Sequence, residues 1–221
     1  ALLYKKGDPT NTANYRPISL LNSIYKIFAK ILVGRIQPII DDHLQSTQFG
    51  FRKNRGTRHA IHCVRRMLAQ ARDSPHVNIF LLLDWEMAFD RLTHKALMQA
   101  LKRLNLPKKL IDLVIMLYND PTFMVEHNGI ASPEYIQHTG IRQGCPLSPY
   151  LFVLVMHALF ADVGHKMDND IVQRRGGISG AVQVDHPRNC QMQNANFSQV
   201  LYADHTLCCT SSVKSMQHLI H

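Results

Sequence analysis

Two aspartates stand at points where a carboxylate would lie beside buried, apolar backbone. Residues 77–83 form a short apolar run that is typical of a strand buried on both faces, and this run ends at Asp84. Asp204 lies in the polar turn between two β-prone runs within residues 197–209, a pattern that predicts a hairpin. A carboxylate in such a place must be hydrogen-bonded, solvated or bound to a cation.

If the two strands are neighbours, both carboxylates meet at one edge of a sheet. Like charges at such an edge need a divalent cation between them, and two such ions can support phosphoryl transfer by activating a hydroxyl and holding a triphosphate. The simpler alternative is that Asp84 caps the turn after its strand and that Asp204 only occupies a hairpin turn. A structural zinc site is not predicted, because nothing completes a ligand set around His59, His62 and Cys63.

Composition indicates a folded chain with a polyanionic partner. Of the 221 residues, 46% are hydrophobic and 19% are charged, which is typical of globular proteins. The net charge of +9 resides in residues 1–75, which hold thirteen basic and four acidic residues. This block favours binding to nucleic acid, although a solvated basic surface explains it equally well.

The cysteines and the apolar segments indicate the cellular compartment in which the protein is expected. The five cysteines include no CxxC pair, which argues against a disulfide framework or a zinc ribbon and favours a reducing compartment. No signal peptide is visible, and the most apolar stretch is too short to span a membrane. We therefore expect an intracellular protein of the nucleus and cytoplasm without a membrane partner.

Hydrophobic periodicity predicts helices and hairpins in one α+β domain. Helical spacing covers residues 20–32, 58–72, 95–104, 107–118 and about 149–163. Asn128-Gly129 predicts a hairpin within residues 123–138, and residues 48–56 have the composition of a turn or hairpin. Residues from about 166 to 197 are interpreted as a polar insertion that can contain a hairpin. Together these elements predict a small antiparallel sheet packed on helices.

Five segments occur in the order and approximate spacing of the motifs of one family. They are Tyr15-Arg16-Pro17-Ile18-Ser19-Leu20-Leu21, Gly50-Phe51-Arg52, Asp84-Trp85-Glu86-Met87-Ala88-Phe89-Asp90, Gly140-Ile141-Arg142-Gln143-Gly144-Cys145-Pro146-Leu147-Ser148-Pro149 and Tyr202-Ala203-Asp204. Over nearly its whole length the chain resembles reverse transcriptases of non-LTR (LINE-type) retrotransposons, with group II intron maturases as more distant relatives. The resemblance implies a right-hand polymerase with fingers over residues 1–76 and palm over residues 77–221, truncated before the thumb.

The resemblance also implies a reaction and its partners. The family's enzymes are RNA-directed DNA polymerases, in which a primer 3′-hydroxyl attacks the α-phosphate of a deoxynucleotide and pyrophosphate leaves. The implied partners are an RNA template, a DNA primer and a dNTP. The implied cofactor is a pair of Mg²⁺ ions, with Mn²⁺ as an alternative.

Site residues follow from the resemblance, position by position. Asp84 and Asp204 match the acids that hold both metal ions and carry catalysis. The predicted nucleotide-binding residues are Arg52 and Lys53 on the triphosphate, Phe89 as a steric gate under the sugar, and Gln143 and Gly144 lining the pocket. The predicted nucleic-acid-binding residues are Arg16, Arg55, Arg142 and Tyr202.

Simpler roles stay open for two of these positions and are preferred for one further acid. Phe89 has the alternative of an ordinary core residue, and Arg16 that of a structural salt bridge. Asp90 follows Asp84 by six residues and is predicted to cap the next helix rather than to bind metal.

One position departs from the family's Tyr-Ala-Asp-Asp motif, because His205 stands where the second Asp is expected. Imidazole is a softer ligand than carboxylate and lacks its negative charge. Two hypotheses follow: a reverse transcriptase core that retains some activity, or a decayed remnant that binds nucleic acid without polymerising. An unrelated Mg²⁺-dependent nuclease would explain the acids but neither Gln143-Gly144 nor the basic block.

Overall fold

The computed structural model describes residues 1–73, 78–127, 129–173, 182–184, 195–197, 199–210 and 212–220. The helices are α1 (Ser23–Ile40), α2 (Thr57–Asp73), α3 (Ala88–Arg91), α4 (His94–Arg103), α5 (Lys108–Leu117), α6 (Ser148–Gln173) and α7 (Val213–Ile220). The strands are β1 (Leu2–Tyr4), β2 (Tyr15–Pro17), β3 (Ile79–Asp84), β4 (Thr122–Phe123), β5 (Glu126–His127), β6 (Ile130–Ala131), β7 (Tyr135–Ile136), β8 (Val182–Val184), β9 (Ala195–Phe197), β10 (Gln199–Tyr202) and β11 (His205–Thr210).

Two compact units divide the chain. The first comprises residues 1–43 and 87–155, and the second comprises residues 44–86 and 156–221. The functional division into fingers and palm at residue 76 is a separate matter and stays a prediction.

The second unit is built on a three-stranded antiparallel sheet in the order β10-β11-β3. One face of this sheet is covered by α2, whose Met67 is fully buried in a cluster with Val200, Leu207 and Cys209. Burial raises the pKa of Cys208 and of Cys209 to about 11, so both thiols stay protonated near neutral pH. The predicted small antiparallel sheet packed on helices is therefore confirmed.

The first unit combines helices with short two-stranded sheets. Three antiparallel pairs, β1-β2, β4-β7 and β5-β6, lie in this unit. Its fully buried side chains include those of Leu97, Leu101, Val114, Leu147 and Leu151. Asn22 caps α1 by accepting the N–H of Tyr25, and Thr93 caps α4 by accepting that of Ala96. The unit thus contains the helices predicted from residues 20–32, 95–104 and 107–118.

Three expectations from the sequence are wrong in detail. Strand β3 is not buried on both faces, because it is the edge strand of the described sheet and Leu82 is 79% exposed. The helical spacing of residues 58–72 predicts that Ile61 and Leu68 face inward, but they are 52% and 44% exposed, since Ala60 and Met67 make the contact with the sheet. Helix α6 continues to Gln173, well beyond the predicted end near residue 163.

Two further predictions fall partly outside the described residues. The hairpin around Asn128-Gly129 is present as the β5-β6 pair, although Asn128 itself is outside them. Within the predicted insertion at residues 166–197, β8 and β9 form an antiparallel pair, and residues 174–181 and 185–194 are outside the described residues. Within the described ranges, none of the helices combines the length and the apolar content needed to cross a lipid bilayer.

Candidate metal centre

The sheet of the second unit brings the two predicted catalytic acids to one edge. Residues Tyr202 and His205 are paired across the turn that contains Asp204, and His205 is in turn paired with Asp84 of β3. Ala203 opens the turn with a φ of 52°, which matches the positive φ that two-residue hairpin turns favour at this position. The β3-β11 register therefore positions Asp84, Asp204 and His205 at the same end of the sheet.

The three side chains form a compact group of potential ligands. His205 Nδ1 lies 3.4 Å from Asp84 Oδ1, and His205 Nε2 lies 3.7 Å from Asp204 Oδ1. One ligand atom from each of the three residues lies within 4.8 Å of the others. The side chains are 77%, 42% and 64% exposed for Asp84, Asp204 and His205, so an ion can reach them from solvent.

Trp85 connects the end of β3 to the β10-β11 hairpin through two hydrogen bonds. Its backbone N–H donates to the carbonyl oxygen of Asp204 at 3.1 Å, and its indole Nε1–H donates to Thr206 Oγ1, also at 3.1 Å. Thr206 is 1% exposed, so the indole is anchored to a buried group. Trp85 was not among the predicted site residues, although an indole that directly follows the strand-end Asp84 is a signal for a positioning residue.

Gly50 packs against the turn of the β10-β11 hairpin. Residues 47–49 extend beside β10, where Phe49 N–H donates to the Leu201 carbonyl and Leu201 N–H donates to that of Thr47. A Cβ atom on Gly50 would lie 2.4 Å from the backbone nitrogen of Ala203, closer than any side chain permits. Only glycine therefore fits against the turn that carries Asp204.

The donor set fits one divalent ion better than two. Asp84 and Asp204 supply two negative charges and oxygen ligands, which Mg²⁺ prefers. His205 supplies an imidazole nitrogen where the family's motif has a third carboxylate. Among the described residues, Asp84, Asp204 and His205 are the group that could hold a metal ion.

Two arginines of the second unit that are predicted to bind nucleotide or nucleic acid donate hydrogen bonds to backbone carbonyls within the protein. Arg52 is 8% exposed, and its Nη1 donates to the carbonyl oxygens of Gln45 at 3.0 Å and Gln48 at 3.4 Å. Arg55 donates to the Ser46 carbonyl and lies 5.7 Å from the centre of the Phe49 ring. These contacts order the loop, and the predicted contacts with nucleotide or nucleic acid stay predictions, as does that of the exposed Lys53.

In the first unit, Gln143 is held by Asp90. The Nε2 of Gln143 lies 3.0 Å from each carboxylate oxygen of Asp90. The sequence predicted Asp90 as a helix cap, and this prediction is wrong. Asp90 lies within α3, whose N-cap is Met87. Both Gln143 and Asp90 line a groove of about 1220 Å³ that belongs to this unit.

Gly144 and Phe89 also have structural contacts in the first unit. Gly144 has a φ of 106°, and a Cβ atom there would lie 2.9 Å from the carbonyl oxygen of Ser19. The ring of Phe89 stacks on that of Phe152, with centroids 5.0 Å apart and planes inclined by 16°. Their predicted roles at the nucleotide stay predictions beside these packing roles.

Arg142 is the centre of a half-buried cluster. Its Nη1 donates to Tyr25 Oη at 2.9 Å and to the Leu117 carbonyl at 3.0 Å. Its guanidinium carbon lies 5.4 Å and 5.2 Å from the ring centres of Tyr25 and Tyr118. Burial raises the pKa of Tyr25, so its hydroxyl stays neutral and can accept this hydrogen bond. The predicted contact of Arg142 with nucleic acid stays a prediction, as do those of Arg16 in β2 and the half-buried Tyr202.

We expect Arg142→Lys to destabilise the protein, since an ammonium cannot reproduce the planar donor fork between two rings. The loss of two cation–π contacts and a carbonyl hydrogen bond should lower the free energy of unfolding by about 2 kcal/mol. Urea denaturation measures this change. The exposed Arg35→Lys is the matched control and should stay within about 0.5 kcal/mol of the natural chain. Equal effects of the two substitutions would contradict a structural role for the cluster.

Comparison with known proteins gives consistent matches. A family model described as reverse transcriptase (RNA-dependent DNA polymerase) matches residues 4–221. The probable RNA-directed DNA polymerase from transposon X-element of Drosophila melanogaster is 34% identical over 160 residues, which is 71% of this chain and 18% of that protein. The RNA-directed DNA polymerase from mobile element jockey of the same fly is 32% identical over 154 residues, or 68% of this chain and 17% of that protein. The chain thus spans less than a fifth of the length of these relatives.

Solved structures share the fold at low sequence identity. Telomerase from Candida albicans, in complex with a fragment of telomeric RNA, matches with a TM-score of 0.54 and 11% identity, over 89% of this chain and 31% of that one. Apo telomerase from Candida tropicalis matches with a TM-score of 0.52 and 13% identity, over 90% of this chain and 36% of that one. At such identities the likeness shows the fold alone, and it agrees with the mixed helices and antiparallel sheets expected of fingers and palm.

Proposed function

Because the chain belongs to the reverse transcriptase family, with relatives among the polymerases of non-LTR retrotransposons, we propose that it is the core of an RNA-directed DNA polymerase. Residues 1–76 would form the fingers and residues 77–221 the palm. The observation that carries the proposal is the β3-β11 register, which joins Asp84 and Asp204 at one end of a sheet.

The residues of this edge have distinct tasks in the proposal. Asp84 and Asp204 bind and orient divalent metal, which would neutralise phosphate charge during nucleotidyl transfer. Trp85 and Gly50 position the hairpin so that the two carboxylates keep their spacing. In the first unit, Asp90 fixes the amide of Gln143 in one orientation, which suits a residue that lines a nucleotide pocket.

An RNA template, a DNA primer and a dNTP are the proposed partners. The basic block supports this proposal, since α2 exposes Arg58, Arg65, Arg66 and Arg72 to solvent, and such residues can neutralise phosphates. The structural neighbour from Candida albicans that binds an RNA fragment supports the same class of partner.

A second function is favoured by one specific observation, the imidazole of His205 at the metal group. In this alternative the chain is a decayed remnant that folds and binds nucleic acid without polymerising. The loss of one carboxylate would weaken metal binding, while the basic surface of α2 would remain.

Primer extension on an RNA template separates the two functions. The polymerase proposal expects dNTP incorporation by the natural chain, abolished when Asp84 and Asp204 are both replaced by Asn. Salt-dependent RNA binding without incorporation supports the remnant instead. Incorporation that survives the double substitution would contradict the assignment of these acids.

A further inference from the structure

We propose that Asp84, Asp204 and His205 bind a single later first-row transition-metal ion, such as Zn²⁺, in preference to a pair of Mg²⁺ ions. The inference deepens the proposed function and rests on its metal site. Its test measures ion binding and not polymerisation.

The first step is the position of the imidazole. His205 is directly opposite Asp84 in the β3-β11 pair, so their side chains emerge on the same face of the sheet. Directly opposed residues in an antiparallel pair have Cβ atoms about 5 Å apart. In the part of the chain that the structure describes, both carboxylates lie within 4 Å of a ring nitrogen of His205, at 3.4 Å for Asp84 and 3.7 Å for Asp204. The nitrogen ligand is thus built into the group by the sheet register.

The second step is the distance between ligands. In a tetrahedral site with ion–ligand distances near 2.1 Å, the ligand atoms lie about 3.4 Å apart. One ligand atom from each of the three residues already lies within 4.8 Å of the others. The two ring nitrogens of His205 face different carboxylates, Nδ1 toward Asp84 and Nε2 toward Asp204, so the ion is bound through one of these nitrogens. The side chains are well exposed, so small rotations close the remaining gap at little cost. A three-ligand site also leaves positions open for water or a phosphate oxygen.

The third step is charge and ligand chemistry. Three carboxylates would present three negative charges to two Mg²⁺ ions, whereas this group presents two negative charges, which one divalent ion balances. Mg²⁺ demands oxygen ligands in octahedral geometry, while imidazole suits later first-row ions, whose affinities rise from Mn²⁺ toward Cu²⁺. The substitution at residue 205 therefore changes both the number of ions and their kind.

The test is titration of the natural chain with Mn²⁺, followed by electron paramagnetic resonance. The signal of free Mn²⁺ gives the affinity, and spin-echo modulation from a directly bound ¹⁴N reports the imidazole. We expect a site with nitrogen coupling from which Zn²⁺ displaces Mn²⁺ at lower concentration than Mg²⁺ does. His205→Ala should remove the coupling and weaken Mn²⁺ binding by about 10- to 100-fold or more. Loss of a residue that only hydrogen-bonds to a metal ligand typically has an effect of this size, and loss of a ligand should not have a smaller one.

Two further variants make the result specific. His127→Ala removes an exposed histidine of β5 in the other unit and should leave both the affinity and the coupling unchanged. His205→Asp should abolish the coupling and narrow the preference for Zn²⁺ over Mg²⁺. The inference is overturned if His205→Ala leaves Mn²⁺ binding intact, or if Mg²⁺ displaces Mn²⁺ as readily as Zn²⁺ does. Binding with nitrogen coupling in a chain that incorporates no nucleotide would support this inference while contradicting polymerase activity.

Discussion

His205→Asp is expected to raise RNA-templated nucleotide incorporation in Mg²⁺ by about 100-fold or more. The new carboxylate would stand opposite Asp84 in the β3-β11 pair, next to Asp204, and would supply a third negative charge. Removal of one group that stabilises charge in a transition state typically lowers the catalytic rate by about 10²- to 10³-fold. Restoring such a group should raise the rate by a similar factor. The measurement is primer extension on an RNA template by both proteins under the same conditions.

The matched control for this experiment is His127→Asp. It makes the same chemical change at an exposed strand residue in the unit that does not contain the metal group, and it should not alter incorporation. If His205→Asp gives no gain over the natural chain, residue 205 is not the position that limits catalysis. The remnant hypothesis would then need another cause for inactivity.

Gly50→Ala is expected to destabilise the second unit by about 1–3 kcal/mol or more and to displace the hairpin. The added methyl group would lie 2.4 Å from Ala203 N and 3.2 Å from Ala203 Cα. Both atoms belong to backbone, so relief requires movement of the turn rather than of a flexible side chain. Urea denaturation measures the stability, and Mn²⁺ titration measures the displacement of Asp204 through weaker ion binding.

Gly56→Ala is the control for Gly50→Ala. A Cβ atom on Gly56 would meet nothing within 4 Å, and this residue lies in the same loop. The same addition of one methyl group should therefore leave unfolding and ion binding nearly unchanged. Equal urea midpoints for the two variants would show that the turn does not depend on close contact with Gly50.

The sequence predicted the elements and the meeting of the two acids well. Apolar runs of period 3.6 identified α2, α4 and α5, and two β-prone runs around a polar turn identified the β10-β11 hairpin. Asp84 could be predicted at a sheet edge because an ionised side chain at the end of an apolar strand has few other places to lie. The resemblance then supplied the pairing of two strands that are far apart in the chain.

Burial and partner choice could not be predicted, because they depend on contacts between distant segments. The exposure of Leu82 follows from the place of β3 at the sheet edge, which no local pattern records. Asp90 was expected as a helix cap, but its carboxylate accepts hydrogen bonds from Gln143, 53 residues later. The closeness of Gly50 to Ala203 is likewise set by how residues 47–49 align with β10.

The bond from Trp85 to Thr206 has a practical consequence for optical spectroscopy. Trp85 is the single tryptophan of the chain, and it directly follows one of the proposed metal-binding residues. Emission excited at the red edge of the indole band therefore reports on one known place, without interference from a second indole. A paramagnetic ion bound beside it would quench this emission, which turns the protein's own fluorescence into a gauge of site occupancy.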